Sequence, residues 1–157
     1  MEADRFILYQ SLKAIFLHID NHEKALLSRY DLSVARFYAL MHIDNNPGIN
    51  YIDLSDLMLC TKSNTTRVVR SMQADGLVHR KVHPDDGRSY QLYLTDKGKF
   101  LYRQVHPDYL KQIDGLMSSF NQTELEAYTE ASQHIERLLA PAASSAGGSK
   151  VHVVSTN

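Results

Sequence analysis

A chain of 157 residues that is 43% hydrophobic and 22% charged, with no tryptophan, has the makeup of one soluble domain able to bury a full core. Its one cysteine, Cys60, excludes an internal disulfide and fits a reducing cytosol, while an acidic N-terminus and no apolar run near ~20 residues argue against secretion and membrane contact. The net charge of −1 divides unevenly: positions 62–103 hold nine Lys or Arg against four Asp or Glu, a basic block in an acidic remainder, as a face that meets phosphates requires.

Apolar residues Leu8, Leu12, Ile15, Phe16, Ile19 and Leu26 recur at helical spacing and predict one long amphipathic helix over about residues 4–29. Ser33 can cap a second helix with Val34, Phe37, Leu40 and Met41 inward, ended by Asn45-Asn46-Pro47-Gly48. Asn50 caps a third, Tyr51 to Leu59, with Ile52, Leu54, Leu57 and Met58 as packing residues. The turn Leu59-Cys60-Thr61 leads into a fourth helix that stops at Asp75-Gly76, where glycine suits the C-cap. The apolar face of that helix is thin: Val68, Val69 and Met72, with Thr65 beside them.

Residues 77–82 and 90–94 predict a hairpin. Thr95 caps a fifth helix to about Ser118, inward at Phe100, Leu101, Val105, Leu110, Ile113 and Leu116, with a kink expected at His106-Pro107. Asn121 and Glu124 form a capping-box pattern for a last helix, whose Leu125, Tyr128, Ser132, Ile135 and Leu139 approach a coiled-coil seam. From Pro141 onward Ala, Ser and Gly dominate without periodicity, so 141–157 is predicted to be a disordered tail.

A helix with as little to bury as the fourth shows the rest of its surface to something polar. Lys62, Ser63, Asn64, Thr66, Arg67 and Arg70 are its candidates to face DNA. Ser63, Asn64 and Thr66 can approach bases or phosphates, and Arg67 can fork onto guanine O6/N7 or clamp a phosphate. A solvated surface would account for such a helix in isolation. The short helix and tight turn before it, and the basic hairpin after it, point instead to a winged helix-turn-helix. The turn His83-Pro84-Asp85-Asp86-Gly87-Arg88 sets Arg88 where a flexible cation reaches an adjacent minor groove. As a bare structural tip, an exposed Asp86–Arg88 pair would contribute only about 0–1 kcal/mol.

The long helices at both ends exceed what so small a module can cover, which predicts a dimerisation layer. The expected fold is mainly α with a small β-hairpin wing: one domain over 1–140, its winged helix-turn-helix core at about 32–95 and its dimerisation helices at about 4–29 and 96–139.

Residues 54–80 and 83–99 resemble the MarR family of bacterial winged-helix regulators, and the likeness runs from about Asp4 to Leu139. The family's wing pattern is an Asp, any residue and an Arg, then alternating apolar residues and Leu-Thr. Asp86, Gly87, Arg88 and Leu92-Tyr93-Leu94-Thr95 meet it. The resemblance implies that Arg88 enters the minor groove with Asp86 orienting it, and that Arg67 is the Arg following Thr in the recognition helix. It also implies a homodimer on a pseudo-palindromic operator in double-stranded DNA, usually a repressor released by a small-molecule effector. The family's effector pocket lies between dimer layer and DNA-binding lobe, which here draws in Phe16, His22, Arg36, Phe37 and Tyr102. An Arg and a His among aromatics suit an amphipathic phenol or carboxylate.

Three positions depart from the family pattern. Gly87 replaces a second basic residue, Thr65 stands where an apolar residue is common, and Arg70 where an acid is common. These imply an altered base preference or phosphate contact set.

Other chemistries have weaker support. His18 and His22 lie i,i+4, and His42 or His106 could supply a third metal ligand, but no Cys/His cluster has a recognised spacing. No metal or cofactor is therefore expected, although His18, His22 and His106 could make binding pH-sensitive. Cys60 reads as a small buried hydrophobe in preference to an oxidant sensor. No phosphate-binding glycine loop or nucleophile–base set suggests an enzyme. The competing functions are a winged-helix protein-contact module without a DNA target, and a metal- or redox-responsive regulator of the same fold. The first needs an apolar or acidic exposed face on the fourth helix, whereas this one is basic and hydroxylic.

Overall fold

The computed structural model describes residues 1–84, 87 and 89–140. Asp85, Asp86, Arg88 and the tail 141–157 lie outside the described residues, so the expected wing-tip pair and the expected disorder fall there too. Helix α1 (Glu2–Leu27) has Glu2 and Asp4 in its first turn and Lys24 in its last, charges that oppose the helix dipole. A 3-10 turn, Ser28–Tyr30, follows and ends at Asp31 in the left-handed region (φ 54°). Only Glu23, Leu26 and Leu27 of α1 are buried.

Helix α2 (Val34–Asn45) begins at Ser33, whose side chain accepts from the Arg36 N–H. It supplies Phe37, Ala39, Leu40 and Ile43 to the core. Helix α3 (Tyr51–Leu57) is capped by Asn50, whose Oδ1 accepts from the N–H of Ile52 and Asp53. It stops at Leu57, two residues short of the sequence expectation, because Leu59 takes a left-handed backbone (φ 49°). Helix α4 (Lys62–Ala74) follows, capped by Thr61 and closed by Gly76 at φ 69°.

Strands β1 (Val78–Val82) and β2 (Tyr90–Leu94) pair antiparallel, with Val78 opposite Leu94 and Val82 opposite Tyr90. The loop before α3 adds a single bridge to the outer edge of β2, where Leu92 exchanges backbone hydrogen bonds with Ile49 and Gly48. Helix α5 (Asp96–Met117) starts at Thr95, whose hydroxyl accepts from Gly98 N–H and donates to the Gly76 carbonyl. It continues through Pro107.

The core gathers around Phe37, whose ring lies 4.6 Å from Tyr109 and 6.2 Å from Tyr102, centroid to centroid. Leu27, Leu40, Leu54, Val69, Met72, Leu92 and Val105 fill the rest. Thr65 is fully buried among them, its hydroxyl satisfied by the Thr61 carbonyl. Several expected packing residues do not join: Ile52 on α3 and Phe100, Leu110 and Ile113 on α5 are exposed. Their stripes are apolar, but nothing among the described residues covers them.

Tertiary contacts divide the chain into two compact units, Met1–Gly115 and Leu116–Asn157. In the second, helix α6 (Gln122–Leu139) opens on a complete capping box. Asn121 Oδ1 accepts from Glu124 N–H and Glu124 Oε2 from Asn121 N–H. Phe120 meets Tyr128 edge-to-face at 5.6 Å, and no residue of α6 is buried. Among the described residues no helix is long and apolar enough to cross a membrane.

Candidate nucleic-acid interface

Helix α4 is split lengthwise. Thr65, Val68, Val69 and Met72 are buried, while Lys62, Ser63, Arg67 and Arg70 are exposed and Asn64 and Thr66 half-buried at the rim. The helix contains no acidic residue, so three cations and the positive end of its dipole face the same solvent. Thr61 Oγ1 accepts from the Asn64 N–H, which fixes the first turn. Asn64 Oδ1 in turn accepts from Arg67 Nη2 at 2.8 Å, so the guanidinium is held along the helix. Thr66 donates its hydroxyl to the Lys62 carbonyl at 2.8 Å, which leaves its oxygen free only to accept.

The far end of α4 is anchored. Arg36 of α2 donates to Asp75 Oδ2 at 2.5 Å, and Lys97 of α5 donates to the Asp75 carbonyl at 2.8 Å. Arg36 Nε is buried with no hydrogen-bond partner among the described residues. On β1 the exposed Arg80 lies over the Tyr90 ring at 4.3 Å and Lys81 over Tyr93 at 5.0 Å. These two cations were absent from the sequence-predicted site. Their signal was two adjacent bases that stand opposite Leu92 and Gln91 and each reach a tyrosine two positions away on β2, visible only once the register of the hairpin is known.

Behind α4 a cleft of about 740 Å³ runs between α1, α2 and the turn into the reading helix. Phe16, Asp20 and Glu23 line it from α1, Tyr38 and His42 from α2, and Cys60 and Asn64 from the turn and start of α4. Cys60 is half-buried there, its sulfur 3.0 Å from Thr65 Oγ1. Of the residues expected to form an effector pocket, Phe16 lines this cleft. Phe37 is enclosed in the core, Tyr102 is buried 4.9 Å from the His106 ring, and His22 is exposed on α1. Arg36, expected to answer an acidic ligand, is committed to Asp75.

One cluster went unforeseen. Glu23 Oε1 accepts from Tyr38 Oη at 2.6 Å and from Tyr109 Oη at 3.2 Å, and the two hydroxyls lie 3.0 Å apart. The triad ties α1, α2 and α5 together. Burial, then the bonds to Glu23 and Tyr109, push the Tyr38 hydroxyl far above its ordinary range. Burial also raises Tyr109, against the opposing Tyr38 bond, and lifts Tyr102 to about 12. Burial lowers His42, which favours its neutral form. Among the described residues no three His, Cys, Asp or Glu gather as a metal site.

A capped basic helix behind a tight turn, followed by a two-stranded wing, is the head of a winged helix-turn-helix DNA-binding protein. Residues 30–89 match the profile of the MarR family. The transcriptional regulator BilQ of Clostridioides difficile is 27% identical over 120 residues, 74% of this chain and 81% of the relative. Among solved structures, the repressor CouR bound to a 23-mer DNA duplex has a similar fold, with a TM-score of 0.73 at 24% identity over 81% of this chain and 90% of CouR. PcaV of Streptomyces coelicolor, solved with its natural ligand, gives a TM-score of 0.69 at 16% identity over 78% and 89% of the two chains. Residues 30–89 thus belong to the MarR family of DNA-binding transcriptional regulators, a non-enzymatic family, and the chain as a whole is similar to its members.

Proposed function

We propose that the protein acts as a homodimeric repressor, each copy laying α4 into a major groove of a pseudo-palindromic operator and its wing on the adjacent minor groove. Lys62, Ser63, Asn64, Thr66, Arg67 and Arg70 form the reading face, with Arg88 as the wing cation and Asp86 its orienting partner. Arg80 and Lys81 add phosphate contacts. A small molecule in the cleft behind α4 relieves repression. The observation that carries this is the division of α4 itself, with a fully buried hydrophobic and Thr65 face opposite an exposed face of cations and hydroxyls.

Dimerisation is supported by exposed apolar side chains on α1, among them Phe6, Ile7, Tyr9 and Ile15, and by exposed Tyr128, Leu138 and Leu139 on α6. Ligand control is supported by a cleft whose wall includes Asn64, a residue of the reading helix. A transcriptional regulator works where the chromosome is, so we assign it to the cytoplasm.

The test is a gel-shift titration with a palindromic and a random duplex at two salt concentrations. Each phosphate neutralised should add roughly −0.9 to the slope of log K against log salt, so binding must fall steeply as salt rises. A flat salt response would overturn DNA binding in favour of the protein-contact module.

A further inference from the structure

The cleft behind α4 has acid in its wall and no permanent cation. Asp20 and Glu23 line it, and neither Lys nor Arg does. Asp20 already holds the Lys24 ammonium at 2.5 Å. Glu23 is 8% exposed, and its only partners among the described residues are the two tyrosine hydroxyls on Oε1. No Lys or Arg nitrogen lies within ion-pair distance of it there. A carboxylate withdrawn that far from water without a counter-cation is costly, and two neutral donors offset only part of the cost. An anionic ligand would set a second negative charge beside it in a low-dielectric wall. His42 does not reverse the sign, because burial favours its neutral form. Most of the remaining lining is apolar, chiefly Phe16, Ile19, Val34, Leu57 and Met58, with Tyr38, Cys60 and Asn64 as its uncharged polar members.

We propose that the cleft takes an amphipathic cation, its ammonium group against the Glu23 carboxylate and its apolar body along Phe16, Ile19, Val34 and Met58. This rests on the ligand-released repression proposed above and gives that ligand its chemical class. It also reverses the class suggested by Arg36, which the Asp75 ion pair removes from consideration. The same site supplies a route to DNA. Asn64 lines the cleft and its Oδ1 holds Arg67, so a ligand body pressing on Asn64 competes with the bond that aims the guanidinium.

A matched series separates charge from shape: 3,3-diphenylpropylamine, 3,3-diphenylpropan-1-ol and 3,3-diphenylpropanoate, titrated calorimetrically into the full chain at neutral pH. The amine should bind about tenfold tighter than the alcohol, with the carboxylate weakest, as a charge-assisted contact to a buried carboxylate demands. Glu23→Gln keeps the side-chain shape and should erase the amine's advantage over the alcohol. Phe16→Ala removes an exposed wall residue outside the core and should weaken amine and alcohol alike, which keeps the site testable if Glu23→Gln fails to fold.

Preference for the carboxylate, equal binding of all three, binding of none, or a preference that survives Glu23→Gln would each overturn the cationic ligand. An amine that binds with unchanged affinity in Phe16→Ala would do the same. A gel shift with operator DNA tests the regulatory premise separately. If the amine binds through Glu23 yet leaves DNA affinity unchanged, ligand-released repression fails while the cation site stands.

Discussion

Asn64 serves two surfaces at once. Its carbonyl oxygen holds Arg67 at 2.8 Å on the face proposed to meet DNA, and its side chain lines the cleft on the other side of the helix. If Arg67 reads a base, Arg67→Ala should cost about 1–3 kcal/mol on the cognate duplex and much less on random DNA, measured by competition gel shift. Equal losses on both would reduce it to a phosphate contact. A second residue gives a pH signature. Burial holds His42 below its ordinary value of 6.5, so below that pH the unfolded chain takes up a proton that the folded chain resists. Stability is therefore complete above the unfolded value and is lost as pH falls toward the folded one, so urea unfolding at about pH 7.5 and 5.5 should show a decline that His42→Gln lessens. An unchanged decline in the variant would show that His42 is not the group responsible.

Between elements, the tightest junction is where α5 leaves the wing. Gly98 is buried, and a Cβ built there would stand 2.1 Å from the Leu77 carbonyl oxygen, which itself accepts from Thr95 N–H. Gly98→Ala must push α5 off the base of the hairpin and should destabilise by about 1–3 kcal/mol in denaturant unfolding, the range for forced overpacking. A variant as stable as the parent would mean that the junction yields freely.

The boundaries of such elements were legible because caps are local chemistry. Ser33, Asn50, Thr95 and Asn121 each announce a helix within three residues of the group they bind. The recognition helix was legible for a related reason, since a thin apolar stripe beside cations needs no tertiary knowledge. What escaped depended on long-range assembly. Periodicity marks Ile52 and Phe100 as apolar but cannot say whether a neighbour covers them, and both are exposed. Leu59 ends α3 in a conformation that residues other than Gly, Asn and Asp seldom adopt, so nothing in its identity signals the stop. The Glu23 triad joins residues 86 positions apart. Its trace in sequence was a carboxylate on the inward stripe between Ile19 and Leu26.

At the scale of the whole molecule, α1 sets the strongest demand. Phe6, Ile7, Leu8 and Tyr9 are consecutive and exposed, so they point apolar surface in every direction around the helix, and Ile15, Phe16 and Leu17 repeat the pattern two turns on. A helix that exposes this much apolar surface is a helix made to be enclosed. A second copy supplies enclosure and also sets two reading heads at a fixed separation, so dimerisation and operator affinity should fall together. Leu8→Glu combined with Ile15→Glu places two charges seven residues apart on one face, outside the core of the protomer. The variant should sediment as a monomer at micromolar concentration where the parent is a dimer. It should bind a two-half-site duplex about 100-fold more weakly, the loss expected when the second contact is no longer intramolecular, while its weak salt-sensitive affinity for random DNA is retained. A monomeric variant with full operator affinity would separate dimerisation from DNA recognition and refute the link between α1 and the operator.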